Sequence, residues 1–473
     1  MNNRLNRLGV LFLLVLSVVS IGQAEQYTDI GDRWELLVDD YLIDQMKGGI
    51  ELCLHSPTVQ DVVLTHDKPW EGNTSGYHTM FRDGNICRMY YRGSNHDEKT
   101  QKQSHPPMVC YAQSSDGINW ERPNLGLVEF QGSRNNNIIL EDFGAHNFTP
   151  FKDLNPQCPP QALYKAVARE RWNDKDTLVA FISPDAIHWK LMQAEPIITE
   201  GAFDSQNLAF WDSMRGEYRC YFRDFRDGFR DIKTSTSKDF IHWTKPEWLS
   251  YGDAPREHLY TNQIQPYYRS PHIFIGFPTR YIPERDSLTE GLFMSSRDGR
   301  NFTRWQEALL RPGLNKSKWQ NRSNYIWLGM IETPSPLPGG GNELSIYGNE
   351  GYYEGKGAGT RRYTYRIDGF VSLHAAFAGG EMTTKPLVFK GNHLMVNFST
   401  SAAGSLGVEI QDSSGKPVDG YALSECSEIY GDRIEQAVQW NKSDVGSLAG
   451  QPIRLRFVLK DADLFAFGFR TRP

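Results

Sequence analysis

A short motif recurs along this chain: a serine, any residue, an aspartate, three further residues and then an aromatic residue. A looser copy, "YRIDGFV", places Asp368 where the clear copies have their aspartates. Successive aspartates are 69, 54, 59 and 70 residues apart, a period typical of repeat folds. The clear copies are "SSDGINW" (114–120), "SPDAIHW" (183–189), "SKDFIHW" (237–243) and "SRDGRNF" (296–302).

Each copy of the motif belongs to a unit of alternating, strand-like segments such as "ICRMYYRG", "LYKAVARE" and "YRCYFRDF". Period-two alternation with frequent turn residues is the all-β signature. Four strands per unit of 50 to 70 residues predict a β-propeller, and the spacings predict five blades. We expect the motif to be the turn between the third and fourth strands. Its aspartate would accept backbone N–H groups and its aromatic residue would pack between blades.

The predicted five-bladed β-propeller covers residues 25–378. Its first strand, "RWELLVDDYLID" (33–44), is expected to add to the last blade and close the ring. After 379 the pattern changes to short antiparallel strands joined by turns, which predicts a C-terminal β-sandwich over 379–473.

Residues 1–24 have the parts of a secretory signal peptide. Arg4 and Arg7 precede the apolar run "LGVLFLLVLSVVSI", and small residues allow cleavage after Ala24. No later stretch is long and apolar enough to predict a membrane span. The sequence therefore predicts a secreted or periplasmic protein.

The 473 residues carry a net charge of −6 without a basic stripe, which argues against a nucleic-acid partner. The six cysteines are scattered without metal-ligand spacing, and no other ligand set is visible. We therefore predict no metal site and no cofactor, although a cation could occupy a propeller channel. If one disulfide forms, we expect it to join Cys87 and Cys110, whose strands are predicted to be neighbours.

Three carboxylates lie on predicted innermost strands of three blades: Glu71, Asp204 and Glu332. Hydrolysis of a glycosidic bond needs one protonated and one ionised carboxyl group across that bond, and a third can tune the pair. Each residue also has a structural interpretation. Glu332 could form a buried hydrogen bond, Asp204 could stabilise a turn, and Glu71 could lie in a loop.

Arginine recurs at the end of the second strand in four blades, at Arg92, Arg169, Arg223 and Arg280. These side chains could form salt bridges between blades, or they could meet and bind sugar hydroxyls or an acidic group. Neutral donors and acceptors suited to a sugar also fall on inner strands: His146, Asn147, Gln206, Asn207, Tyr260, Asn262 and Gln263.

Five such turns followed by a predicted sandwich make the chain similar to the five-bladed propeller glycoside hydrolases of families 32, 43 and 68, and its layout resembles family 32 most. Where that family has "WMNDPNG", "RDP" and "EC", this chain has Trp70-Glu71-Gly72-Asn73, Arg223-Asp224 and Glu332-Thr333. The resemblance thus covers the architecture but not the catalytic motifs. The turns also resemble the sialidase Asp box, with a different spacing.

The predicted export, the predicted architecture and the inner-strand carboxylates together favour an exported hydrolase of a poly- or oligosaccharide. Glu332 would be the acid, Asp204 the base, nucleophile or stabiliser, and Glu71 the third carboxylate. The alternative is a lectin-like propeller that binds carbohydrate without cleaving it, for which aromatic residues would line the funnel and the three carboxylates would lie apart. A third possibility, a protein-interaction scaffold, would have a polar funnel with neither feature.

Overall fold

The computed structural model describes residues 27–319, 322–441 and 444–471, and strands dominate these ranges. The signal peptide predicted at 1–24 lies outside them. Within them, helix is limited to single 3-10 turns, and no helix is long and apolar enough to cross a membrane. The expected all-β class is confirmed. The 3-10 turns are Pro160–Ala162, Pro283–Arg285, Lys316–Lys318, Leu423–Glu425 and Gly446–Leu448.

Four strands precede the first repeat unit: β1 (Thr28–Gly31), β2 (Trp34–Leu36), β3 (Ile43–Leu54) and β4 (Thr58–Thr65). The next three units each form an antiparallel four-stranded sheet. Sheet 1 contains β5 (Gly76–Asp83), β6 (Ile86–Gly93), β9 (Met108–Ser114) and β10 (Ile138–Glu141), with a hairpin of β7 (His96–Asp97) and β8 (Lys102–Gln103) beside it. Sheet 2 contains β11 (Thr149–Lys152), β12 (Tyr164–Trp172), β13 (Lys175–Ser183) and β14 (Lys190–Leu191). Sheet 3 contains β15 (Leu208–Asp212), β16 (Glu217–Arg226), β17 (Phe229–Ser237) and β18 (Glu247–Trp248).

The fourth unit is split between a four-stranded and a three-stranded sheet, and the fifth borrows an N-terminal strand. The small sheet of unit 4 contains β19 (His258–Leu259), β22 (Thr279–Ile282) and β23 (Leu288–Gly291). Sheet 4 contains β20 (Gln265–Tyr267), β21 (Ser270–Gly276), β24 (Met294–Ser296) and β25 (Phe302–Arg304). Sheet 5 contains β26 (Ile331–Pro334), β27 (Asn342–Glu350), β28 (Gly359–Tyr365) and, as its outermost strand, β4.

The four clear motifs form the turns predicted for them. In the first, Asp116 Oδ1 accepts the backbone N–H groups of Ile118 and Asn119, each at 2.8 Å, and Ser114 Oγ accepts that of Gly117 at 2.9 Å. The same bonds recur around Asp185, Asp239 and Asp298. The residue after each aspartate has a positive φ, which explains the glycine in two copies. The remaining two copies place an alanine and a phenylalanine there.

Tyrosine hydroxyls and aromatic rings join each sheet to the next, and the fifth sheet to the first. Three tyrosines donate to the carbonyl of the turn residue that follows the aspartate in the neighbouring sheet: Tyr347 to Gly117 (2.6 Å), Tyr90 to Ala186 (2.9 Å) and Tyr221 to Gly299 (2.7 Å). Tyr218 of sheet 3 donates to Asp153 beside sheet 2 at 2.7 Å. The rings of Tyr260 and Tyr325, in units 4 and 5, lie 5.7 Å apart.

The loose fifth copy of the motif has a different structural role from the other four. Asp368 is fully buried between β28 and the C-terminal strands, and it accepts hydrogen bonds from Trp34 Nε1, Tyr267 Oη and Asn397 Nδ2 at 2.7 to 2.9 Å. Arg269 lies 3.2 Å from it. The carboxylate therefore ties β2, sheet 4 and the C-terminal region together, rather than organising a turn.

The C-terminal strands form an eight-stranded sheet together with β1, β2 and β3, an arrangement that fits a sandwich. Its long strands shift register midway and enclose a continuous apolar core. The closing strand was expected at 33–44, but β2 pairs with β33 (Ile453–Arg470) and β3 with β29 (Val371–Thr384), so β4 completes sheet 5 instead. Alternation in a sequence identifies a strand but not its partner. The C-terminal strands are β29 (Val371–Thr384), β30 (Leu387–Phe389), β31 (His393–Asp412), β32 (Asp432–Ala437) and β33 (Ile453–Arg470).

The disulfide suggested between Cys87 and Cys110 is absent, and all six cysteines are free thiols. The strands β6 and β9 are neighbours as expected, but Cys87 lies opposite Ser114 and Cys110 opposite Tyr91. The two thiols are therefore four positions out of register.

Candidate functional site

Side chains from all five units meet where the innermost strands begin, and we call this group the mouth cluster. It combines tyrosines and arginines with one carboxylate and one histidine. Its members are Tyr77, Arg92, His146, Arg169, Asp204, Arg223, Arg230, Tyr260, Arg322, Tyr325, Tyr352 and Tyr353, linked by the hydrogen bonds, ring contacts and electrostatic interactions described below.

Asp204 is the carboxylate of the mouth cluster. Its Oδ1 lies 3.0 Å from His146 Nε2, and its side chain is half-exposed. The hydrogen bond from His146, followed by the charges of Arg223 and Arg169, holds the pKa of Asp204 well below its usual range. Burial lowers the pKa of His146 and outweighs the opposing effect of Asp204. At neutral pH the pair is therefore an ionised carboxylate beside a neutral imidazole that donates through Nε2.

Two predicted sugar-binding residues act instead on the backbone around Asp204. Asn147 Nδ2 donates to the carbonyls of Phe203 and Ser205 at 3.2 and 2.5 Å, and Asn207 Nδ2 donates to the same two carbonyls at 2.9 and 3.0 Å. Both asparagines are fully buried. They fix the residues on either side of Asp204 and so set where its carboxylate points.

At the base of the mouth, glutamine side chains form hydrogen bonds between units. Gln206 Nε2 donates to the carbonyls of Tyr77 and His78 at 3.2 and 2.9 Å, and its Oε1 accepts from Gln263 Nε2 at 2.8 Å. Tyr77 and Gln263 have φ values of 54° and 47°. A left-handed backbone is costly for a bulky residue and is typical of functional sites. Asn262, beside Gln263, is buried and accepts the backbone N–H of Ile264 at 3.3 Å.

Three of the four recurring arginines reach the mouth. Arg92 lies over the ring of Tyr77 at 4.7 Å and donates to Tyr352 Oη at 2.8 Å. Arg223 lies over the ring of Tyr260 at 4.9 Å. Arg169 donates to Asp176 at 2.8 Å and is close enough to lower the pKa of Asp204. Arg280 lies elsewhere, in ion pairs with Glu257 and Glu290.

Other members of the cluster were not singled out from the sequence. Tyr352 and Tyr353 lie in the loop between β27 and β28, with their rings 4.9 Å apart. Arg322 Nη1 donates to Tyr353 Oη at 3.2 Å, and the Tyr325 ring lies 6.1 Å from that of Tyr352. The one available signal was an aromatic pair inside the glycine-rich loop "NEGYYEGKG".

Burial raises the pKa of Tyr77, Tyr325 and Tyr352, and the neighbouring tyrosines add to the effect in each. These phenols therefore keep their protons at neutral pH and can donate hydrogen bonds to a ligand. A ring of protonated tyrosines offers both flat faces and donors, which suits the apolar faces and hydroxyls of a sugar.

Glu71 lies outside the mouth cluster. It is fully buried, accepts from Tyr91 Oη at 2.5 Å and is bridged by Arg122 Nε and Nη2 at 2.8 and 2.9 Å. The backbone N–H of Lys68 approaches its second oxygen at 3.2 Å. Both oxygens are therefore occupied, an environment typical of a structural ion pair.

Glu332 lies at the other end of the inner strands. The chain runs from Tyr325 at the mouth, past Leu328 beside Met80, to Glu332, whose carbonyl accepts from Arg82 at 3.1 Å. Tyr77 and Arg82 are five residue steps apart on β5, which is roughly 16 Å for an extended strand. The Glu332 carboxylate accepts from Tyr268 Oη and Asn342 Nδ2. The structure therefore does not bring the three predicted carboxylates together.

A cleft of about 880 Å³ lies away from the mouth between units 3 and 4. Its charged residues largely pair with one another, as Glu257 does with Arg304. In the described ranges, no group of three or more His, Cys, Asp or Glu side chains could hold a metal ion.

Comparison with known proteins finds no matching family model and no matching curated protein. Solved structures with similar folds include a glycoside hydrolase (12% identity, TM-score 0.46, covering 65% of this chain and 92% of that one). A glycosyl hydrolase from Bacteroides ovatus matches at 14% identity and TM-score 0.40, covering 71% and 97%. The Bombyx mori GH32 beta-fructofuranosidase BmSUC1 matches at 9% identity and TM-score 0.41, covering 87% and 95%. Glycoside hydrolases are thus among the matched structures. At such low similarity, the function has to be inferred from the residues of this chain.

Proposed function

We propose that the chain is an exported glycoside hydrolase built as a five-bladed propeller with a C-terminal sandwich, and that it cleaves a poly- or oligosaccharide at the mouth cluster. The contacts from each sheet to the next, and from sheet 5 back to sheet 1, support the closed ring. The segment 1–24 supports export.

The observation that carries this proposal is the Asp204–His146 pair set among tyrosines and arginines. Glycosidic cleavage passes through an oxocarbenium-like transition state, which an ionised carboxylate stabilises as nucleophile, base or electrostatic partner. His146 and the neighbouring arginines keep Asp204 ionised, while Asn147 and Asn207 hold its backbone. This environment suits those roles and not the role of proton donor.

The proton donor would be a second carboxyl group. Glu354 follows Tyr353 in the loop between β27 and β28, and its pKa is raised by burial and then by the nearby charge of Glu98. A carboxyl group with a raised pKa is suited to general-acid catalysis. We therefore propose Asp204 as the ionised carboxylate and Glu354, which follows the mouth residue Tyr353 in the chain, as the candidate acid.

The second candidate function is carbohydrate binding without cleavage. One observation favours it: tyrosines line the mouth, and Asp204 is the one carboxylate among the members of the mouth cluster. In that case the same residues would hold a sugar, and neither Asp204 nor Glu354 would have a chemical role.

The test is sugar release by residues 25–473 on a broad panel of glycans and aryl glycosides. Asp204→Asn and Glu354→Gln are compared with Glu332→Gln, a carboxylate at the far end of the inner strands, as the matched control. We expect the first two to lose at least 100-fold in kcat and the control to keep wild-type activity. Loss in Asp204→Asn alone would move the acid elsewhere. Loss in Glu332→Gln would contradict the location of the site, and glycan binding without any release would establish the second candidate.

A further inference from the structure

The mouth cluster carries far more positive than negative charge. Five arginines belong to it, and one carboxylate, Asp204, faces them. Among the described residues, Arg169 is the only one of these five arginines with an ion pair of its own, with Asp176. A neutral sugar needs hydroxyl-binding groups but not an excess of guanidinium groups.

Arg223 is the clearest case of an uncompensated charge. Its side chain is 5% exposed, its Nε is buried without an acceptor, and its guanidinium makes no hydrogen bond to any residue in the described ranges. Its contacts are the ring faces of Tyr260 at 4.9 Å and Phe225 at 5.7 Å. Arg230 also lies over the ring of Tyr260, at 5.6 Å from its centre, and its Nε is buried without an acceptor.

Arg92, which belongs to unit 1, shows the same pattern. It is 9% exposed, and its Nη2 donates to the carbonyl of Thr74 at 3.0 Å and to Tyr352 Oη at 2.8 Å. Both acceptors are neutral, and its Nε is buried without a partner. Burying an unpaired charge is unfavourable, and within the described ranges Arg92 and Arg223 have no counterion beyond the shared Asp204.

We propose that the mouth binds a sugar unit carrying an acidic group, a carboxylate or a sulfate, which Arg92 and Arg223 hold. The planar guanidinium fork matches both anions. Stacking on Tyr77 and Tyr260 fixes the two guanidinium planes and leaves their remaining N–H groups for the ligand. This inference rests on the proposed function for the site's location and names its substrate class.

The test measures binding by calorimetry and release kinetics on matched pairs: a neutral hexoside, the corresponding hexuronide and the corresponding sulfated hexoside. We expect at least 10-fold tighter binding of one anionic member than of the neutral member, with the advantage falling as NaCl is raised because the interaction is between charges. The preferred member identifies the anion as carboxylate or sulfate.

Arg223→Gln and Arg223→Lys are compared with Arg171→Gln, an exposed arginine on β12 outside the cluster. We expect Arg223→Gln to abolish the anionic preference by raising KM for the anionic substrate alone. Arg223→Lys should recover part of the preference, and Arg171→Gln should keep all of it. A chain that hydrolyses neutral glycosides with no anionic preference would overturn the inference and keep the hydrolase. Selective binding of anionic sugars without release would keep the inference and overturn the hydrolase.

Discussion

Replacing Glu71 with glutamine separates a structural role from a catalytic one. The change neutralises a buried carboxylate that accepts from Tyr91 and from two nitrogens of Arg122. It also turns an amide donor toward a guanidinium that stays charged. Breaking a buried ion pair by removing one partner costs about 3 to 5 kcal/mol. Because the Arg122 side chain is 17% exposed and keeps some solvation, we expect about 3 kcal/mol, or roughly a 150-fold change in the folding equilibrium.

The assay is urea unfolding followed by tryptophan fluorescence, together with kcat and ligand affinity measured at low temperature, where the variant is folded. We expect a lower unfolding midpoint with kcat and affinity within two-fold of wild type. Arg122→Gln should destabilise similarly, and the double variant should cost less than the sum of the two. The structural assignment would be refuted by a 100-fold loss of activity in Glu71→Gln at an unchanged midpoint.

The remaining predictions concern the Asp204–His146 pair, Asn207, which holds the backbone beside Asp204, and Asp368, which contacts the C-terminal strands. His146→Ala should raise the pKa of Asp204 toward its ordinary 3.8, so the acid limb of the pH profile of kcat/KM should move to higher pH; an unmoved limb would contradict the pairing. Asn207→Ala should lower kcat by about 10- to 100-fold with little change in KM, because it frees the backbone beside Asp204; an unchanged kcat would show that Asn147 suffices. Asp368→Asn should cost about 2 to 4 kcal/mol, since it leaves Arg269 and three donors with a weaker acceptor; an unchanged midpoint in urea would refute that role.

The repeat spacing and the turn chemistry of the four clear motifs were sufficient to predict the strands and their turns. The hydrogen bonds around Asp116 are local, within five residues, so the sequence can specify them. The loose copy at Asp368 was misleading for the same reason. Its partners Trp34 and Tyr267 are 334 and 101 residues away, and a local pattern carries no information about them.

The candidate site was predictable in part. Inner-strand polarity pointed to Asp204, His146 and Tyr260, and the recurrence of arginine pointed to Arg92 and Arg223. The sequence could not separate the two ends of an inner strand, because both ends of the same short segment look polar. For that reason the sequence predicts Glu332 and Asp204 at one site, although Asp204 lies at the mouth and Glu332 beside Arg82 at the other end of the inner strands.

By itself, the sequence determined the class of this protein: all-β, repeated in units of four strands, with aspartate turns set by contacts between near neighbours. Tertiary structure alone decided which charges meet. The fold places Glu71 beside Arg122, where the two form a buried ion pair. It places Asp204 beside His146, among arginines and tyrosines that include residues of other units. The physical reason is range: turns and alternation are satisfied within a few residues, whereas an ionised side chain takes its role from whichever charges the fold brings beside it.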